Sequence, residues 1–320
     1  MKVLIPFIML PFLLGAGTGP IKENPYTYEQ LMAEVEDIKA DGVEVGTIGK
    51  SEQGRTIPYI KIGNGKQHML LIGTHHAREW ITSQFLMKLV REYAEGYLHG
   101  KVGEYPVSLL NEISIIAIPM LNPDGVMIQQ KGLKATDING NFKLWSMNHF
   151  SFNFSRWKAN GQGIDLNRQY PSGWDELKKL PAWPSFKQYR GKNPAEAIEV
   201  QQLINFTEKI KPEIAIAYHT SGKEVYWYYK NSMDTIEKDF ALAVQIAKKT
   251  GYELSFPQKD AVGGGYTDWF ISTYHKPGFT IEMCESIEET NPPSSCLHSD
   301  WEGNKEVPLM LIHEMVKSHE

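Results

Sequence analysis

The residues best suited to chemistry lie in four short stretches. In Gly73-Thr74-His75-His76-Ala77-Arg78-Glu79-Trp80, His76 and Glu79 stand three apart, so one helical turn or tight loop can aim both at a single ion. A catalytic zinc takes three protein ligands and keeps a fourth position for water, so a third ligand must come from elsewhere. His219 directly follows the apolar run Ile214 to Tyr218 and is the natural candidate. Glu282 lies inside Phe279-Thr280-Ile281-Glu282-Met283, and a carboxylate in an apolar strand is costly unless it is paired or functional. Lys158 and Arg168 add cations, and Asn167 adds an amide beside Arg168. Each of these features is unremarkable alone. A histidine near a strand end is usually a satisfied polar side chain, and an Asn-Arg pair is usually a turn and a surface charge. Their joint occurrence gains weight from the elements that carry them.

Those elements alternate strand and helix. Leu31, Val35 and Ile38 mark one face of a helix over 28–39. Two extended segments, 43–48 and 57–62, are separated by Gly54-Arg55 as in a hairpin. The runs 68–73 and 113–119 are almost wholly apolar, as expected of strands buried on both faces. Helices are expected over 82–97, 194–209 (Asn193 as cap, Pro194 in the first turn), 235–250 and 302–317, and strands over 213–218 and 279–283. Asn122-Pro123-Asp124-Gly125 reads as a turn. Strands alternating with helices of this length predict an α/β fold: one domain with a mostly parallel sheet flanked by helices on both faces. Sites in such sheets gather beyond the carboxyl ends of the strands, where His76 and His219 would both lie. The stretch 144–189, with Trp145, Trp157, Trp174 and Trp183 among Gly, Asn and Pro, reads as a long functional loop.

The chain has 320 residues, a net charge of -5, 42% hydrophobic and 22% charged residues. That balance excludes a disordered or fibrous chain, and the absence of a basic excess argues against nucleic acid as partner. The first twenty residues carry Lys2, an apolar run and then Gly15, Ala16 and Gly17, the pattern of a secretory signal peptide. Residues 21–320 then form the catalytic domain of an exported protein, expected to be a monomer without a membrane span. Cys284 and Cys296 flank a Pro/Ser-rich loop. In an exported protein they can form a disulfide, although two free buried thiols are equally open to the sequence.

His76-Ala77-Arg78-Glu79-Trp80 resembles the zinc motif of the metallocarboxypeptidase family typified by carboxypeptidase A. The similarity runs from about Tyr26 to the C-terminal helix. It implies one zinc ion per chain, held by His76, Glu79 and His219. It implies Glu282 as general base, taking a proton from the attacking water and handing it to the leaving amine. Gly163-Ile164-Asp165-Leu166-Asn167-Arg168 matches the segment whose Asn-Arg pair grips a substrate carboxylate, and Gly263-Gly264-Gly265-Tyr266-Thr267-Asp268-Trp269 matches the one that shapes the specificity pocket. Tyr266 and Thr267 are therefore expected to touch substrate. Departures are visible too. Lys158 stands where pancreatic-type enzymes place an arginine that polarises the scissile carbonyl, and is expected to stabilise the oxyanion together with Arg78. The mobile active-site tyrosine of the family falls on Asp260, and its role is either lost or passed to Tyr266. Thr267 is neither acidic nor large and apolar.

Trp157-Lys158-Ala159-Asn160 and Tyr266-Thr267-Asp268-Trp269-Phe270 resemble more closely the bacterial γ-D-glutamyl–diamino acid peptidases. The implied activity is hydrolysis of the bond between γ-D-glutamate and meso-diaminopimelate, or lysine, in cell-wall stem peptides. A general secreted carboxypeptidase is the alternative. A non-catalytic peptide-binding module would be signalled by loss of a metal ligand or of the glutamate base, and all four residues are present.

Overall fold

The computed structural model describes residues 25–38, 42–136, 138–256 and 262–317. The expected signal segment and Asp260 lie outside them. Eight of the ten strands build one sheet: β1 Val43–Lys50, β2 Thr56–Ile62, β3 Gln67–Ile72, β6 Ile113–Ile118, β7 Ile214–Thr220, β8 Glu224–Tyr226, β9 Glu253–Ser255 and β10 Gly278–Met283. The two-residue strands β4 Lys101–Val102 and β5 Tyr105–Pro106 pair apart from it. The order across the large sheet is β1-β2-β6-β3-β7-β10-β8-β9. The central four, β6, β3, β7 and β10, are parallel, with antiparallel pairings toward both edges.

Sequence alternation explains the layering. Met69 and Leu71 of β3 point into one core, and Leu70 and Ile72 into the other; all four are fully buried. A strand buried on both faces needs both residue sets apolar, and each such side chain contributes roughly 1.5–3 kcal/mol by leaving water. The first core is closed by helices α1 Tyr28–Asp37, α2 Ile81–His99, α6 Ile236–Thr250, α8 Ser295–Asn304 and α9 Val307–Lys317. The second is closed by α5 Ile198–Ile210, α7 Tyr266–Tyr274 and the segment carrying Leu166 and Tyr170. A smaller cluster joins Ile128 of α3 Pro123–Lys131 and Leu144 of α4 Ile138–Met147 to Trp157 and Ala77, backing the His76 segment. The predicted α/β fold, helices on both faces of a mixed and mostly parallel sheet, is the fold observed.

Three expectations are corrected. Asn122-Pro123 opens α3: the Asn122 side chain accepts from Gly125 N at 3.0 Å and Pro123 takes the first helical position, where its missing N–H costs nothing. Helix α5 begins at Ile198 and not at Pro194, because Ala195 adopts a left-handed φ of 53° and the Gln169 carboxamide oxygen takes the N–H groups of Glu196 and Ala197. The single helix expected over 302–317 is two, α8 and α9. Cys284 and Cys296 are joined in a disulfide, which settles the alternative left open by the sequence. Among the described residues no helix is long and apolar enough to cross a membrane.

Candidate active site

The parallel strands deliver their carboxyl ends to one edge, and the chemistry collects there. Beyond β3, Gly73 passes so close to the β6 side that a Cβ on it would lie 2.6 Å from Pro119 O, so no larger residue fits. Thr74 then takes a left-handed φ of 53° and is locked by its N–H to Thr82 Oγ1 at 2.8 Å and its hydroxyl against Ser83 Oγ at 2.7 Å. This kink, held by the start of α2, turns the chain so that His76 and Glu79 face back over the sheet. Asn122, the cap of α3, ties the bend down by donating to His75 O and Ala159 O. His219 is the penultimate residue of β7, and Glu282 of β10 lies beside it in register.

His76, Glu79 and His219 converge, with their ligand atoms within 4.8 Å of one another and all three side chains buried. Asp165 orients the His76 ring. Burial raises the Asp165 carboxyl, but the His76 ring and the Lys158 ammonium hold it well below the usual carboxylate range. An ionised carboxylate only accepts, so the His76 proton resides on Nε2 and is donated to Asp165 Oδ1 at 3.1 Å. In the neutral ring Nδ1 then presents a lone pair, yet it lies 2.9 Å from Glu79 Oε1 and 3.1 Å from His219 Nδ1. Two acceptors at that separation repel unless a cation sits between them. His219 Nδ1, 3.0 Å from Glu79 Oε2, carries at most one proton and cannot satisfy both neighbours. Two imidazole nitrogens and a carboxylate, one imidazole oriented by a buried carboxylate, form a donor set that fits zinc with a position left open.

In front of these residues is a cavity of about 230 Å³, walled by His76, Lys158, Asn167, Arg168, Thr267 and Glu282 among others. Six of the ten site residues read from the sequence thus share one space. Burial first, and the Glu79 carboxylate second, push the Glu282 carboxyl up to about 8 against the pull of Lys158, and its Oε2 has no hydrogen-bond partner among the described residues. Such a group takes up a proton readily. Lys158 makes no ion pair among the described residues, so its charge is available to the cavity. Asn167 is held by its N–H to Asp165 Oδ1 and by its Oδ1 accepting from Tyr266 N, which leaves the amide nitrogen unused. Arg168 donates to Asn167 O through Nη1, while its Nε is unpaired. Thr267 reaches the wall with its hydroxyl 2.8 Å from that of Thr280. Arg78 is half-buried in the loop between His76 and Glu79, with Nη1 unpaired among the described residues, and is not on the cavity wall.

Tyr266 is the misplaced expectation. Its ring is fully buried against Tyr170, Trp269 and Phe270 and its hydroxyl meets Thr207, so only its backbone N–H serves the site, through Asn167. As the first residue of α7 it points its side chain back into the core beneath the helix. Sequence reasoning missed Asp165 as orienting group, because an aspartate before Asn-Arg reads equally as a helix cap, which it also is. It also missed Tyr226, Trp227, Tyr228, Asp268 and Thr280 on the cavity wall. The aromatic run shortly after His219 was the available signal for the first three.

A buried His-Glu-His set with a free carboxylate beside it, at the carboxyl edge of an α/β sheet, defines a metal-dependent hydrolase. A family model described as zinc carboxypeptidase matches residues 28–307. The chain belongs to the zinc carboxypeptidase family, a family of metallopeptidases. It is 33% identical over 276 residues to the γ-D-glutamyl-L-diamino acid endopeptidase 1 of Lysinibacillus sphaericus, covering 84% of this chain and 67% of that one. It is 32% identical to the uncharacterized protein YqgT of Bacillus subtilis, covering 74% and 63%. The chain therefore spans about two thirds of the length of these relatives. Thrombin-activatable fibrinolysis inhibitor shares the fold, with a TM-score of 0.73 and 20% identity over 91% of this chain and 73% of that one.

Proposed function

We propose that this chain is a secreted zinc peptidase that hydrolyses the bond between γ-D-glutamate and meso-diaminopimelate, or lysine, in cell-wall peptides. The observation that carries this reading is the 33% identity, along 84% of the chain, to a peptidase named for that bond. Lys158 on the cavity wall, in the position where the resemblance led us to expect it, agrees with it. Residues 21–320 form the catalytic domain in this reading, and the Cys284–Cys296 disulfide suits an exported protein.

His76, Glu79 and His219 hold the metal. Zinc bound there supplies Lewis-acid polarisation of the scissile carbonyl and makes water more acidic. Glu282, with its unpartnered oxygen and raised affinity for protons, takes the proton of the attacking water and returns it to the departing nitrogen. Lys158, on the cavity wall, offsets negative charge on the carbonyl oxygen as the water adds, whereas Arg78, expected to share that role, lies off the wall. Arg168 and the free amide nitrogen of Asn167 hold a carboxylate of the departing residue, which a guanidinium matches in geometry.

The test is an assay of L-Ala-γ-D-Glu-meso-diaminopimelate beside ordinary blocked dipeptides, with and without a chelator. Chelator-sensitive cleavage of the γ-D-glutamyl bond alone supports the reading. Chelator-sensitive release of ordinary C-terminal residues, with the wall peptide untouched, replaces it with a general carboxypeptidase.

A further inference from the structure

The cavity holds a carboxylate that the mechanism does not use. Among its described lining residues only Glu282 and Asp268 are acidic, and the proposed mechanism uses Glu282 alone. Asp268 lies in the first turn of α7, half-buried, with Oδ2 accepting from Gly263 N at 2.7 Å. It forms no ion pair among the described residues. The nearest cations influence it only through space: Lys230 is engaged with Glu176, and Arg168 is turned to Asn167 O. Burial pushes the Asp268 carboxyl up to about 6 against the pull of the Gly263 N–H and of both cations.

Its position relative to the carboxylate clamp is also fixed. A Cβ built on Gly265 would lie 3.4 Å from Asn167 Oδ1 and 3.5 Å from Asp268 Oδ2, so the amide and the carboxylate flank one bare stretch of backbone on the cavity wall. The cavity wall thus carries a cation and an amide, and across Gly265 from the amide an anion without an ion pair among the described residues. A departing residue with only an α-carboxylate uses half of that arrangement. A diamino acid, which carries a carboxylate and a second ammonium group on a short aliphatic stem, uses all of it.

We propose that Asp268 is the specificity residue that receives the second ammonium group of a diamino acid on the departing side of the cleaved bond. This rests on the peptidase reading above and deepens it. The ammonium donates to the Asp268 carboxylate while Arg168 and Asn167 hold the α-carboxylate. The stem lies against Gly265, where a side chain would intrude. Thr267, the neighbouring position, contributes no charge. The discrimination is therefore carried by the next residue along the helix, on the same wall.

The experiment compares kcat/KM of the zinc-loaded enzyme on γ-D-Glu-L-Lys and γ-D-Glu-L-norleucine, which share a stem and differ in the ammonium. A hydrogen bond to a charged group predicts a preference for lysine of roughly 10- to 100-fold. In Asp268→Asn, which keeps an acceptor for Gly263 N–H, the preference falls below about threefold, the loss coming mainly from the lysine substrate. Asp268→Ser repeats the comparison should the amide variant fold poorly, and thermal melting checks both. A preference kept in the variants, or an equal loss on both substrates, overturns the assignment and leaves Asp268 a cap for the Gly263 loop. The same pair in ordinary blocked α-dipeptides separates this idea from the wall-peptide reading. If only those are cut, with a lysine preference that depends on Asp268, the wall-peptide reading fails and the assignment stands. If the γ-D-glutamyl pair is cut without preference, the reverse holds.

Discussion

Asp165→Asn should uncouple metal binding from folding, and the size of the effect follows from three hydrogen bonds. The buried Asp165 carboxylate accepts from His76 Nε2, Asn167 N and Gln188 N, each at 3.1 Å. All three partners are donors, and an asparagine has one oxygen. With the amide nitrogen placed toward Gln188, two donors face each other in a buried site, which costs about 1–3 kcal/mol of stability. With it placed toward His76, the ring answers by moving its proton to Nδ1, and the lone pair that faces Glu79 and His219 is lost. In either orientation the negative charge that makes the imidazole a stronger donor is gone. Outer-shell substitutions of this kind lower metal affinity about 10- to 100-fold, equivalent to about 1.4–2.8 kcal/mol. Zinc affinity is measured by competition with a chelator of known affinity, and activity is followed as zinc is added back. The variant should regain turnover at zinc concentrations the wild type does not need. Wild-type zinc affinity in a folded Asp165→Asn would refute the tautomer argument and with it the role given to His76 Nδ1.

Glu282→Gln should retain zinc and lose turnover by at least about 10³-fold, since it removes the proton acceptor without touching a ligand; near-normal rates would take Glu282 out of the mechanism. Arg168→Met should lower kcat/KM by roughly 10- to 100-fold for substrates with a free carboxylate and much less for their amides, a difference that vanishes if the clamp is elsewhere. Reduction of the Cys284–Cys296 bond, which closes a loop with a sequence separation of 12, should cost about 3 kcal/mol in urea unfolding if the bond acts on the unfolded chain. Glu199 is fully buried, accepts from Asn160 Nδ2, and has its carboxyl raised from 4.5 to about 7 by burial. Between those values the folded state binds the proton and the unfolded state does not. Stability from this group is therefore full below pH 4.5 and lost as pH rises to 7, by about 3 kcal/mol. Glu199→Gln should flatten that slope, and an unchanged pH profile of urea stability would contradict the burial argument.

The legible parts of the molecule were those in which one physical requirement acts alone. The strands β3, β6, β7 and β10 are apolar because both faces are covered, and that pattern needs no knowledge of neighbours. The convergence of His76, Glu79 and His219 was legible because His76 lies just beyond the end of β3 and His219 near the end of β7. Helix α5 was misplaced at its start because Gln169, distant in sequence, outcompetes Asn193 for the first N–H groups. Tyr266 was misassigned because the motif fixes its backbone beside Asn167, while the direction of its ring depends on packing against Tyr170 and Trp269. Asp268 went unassigned for the opposite reason: its importance lies in a partner it lacks, and unpaired charge is visible only in three dimensions.

The sheet also explains why so few residues suffice for the site. Glu282 lies in register with His219 on the parallel strand β7 and with Glu224 on the antiparallel strand β8. Register partners face the same side, so Glu282, the proposed general base, and His219 are set by one ladder, and their separation cannot change without breaking it. A slip of one residue along β10 would turn Glu282 to the opposite face, into the core that holds Ile281 and Met283, and bring an apolar side chain to the site. The buried isoleucine and methionine that flank Glu282 resist that slip, because it would expose their apolar surface to the cavity. The packing that stabilises the strand and the position of the Glu282 carboxyl are in this way the same constraint.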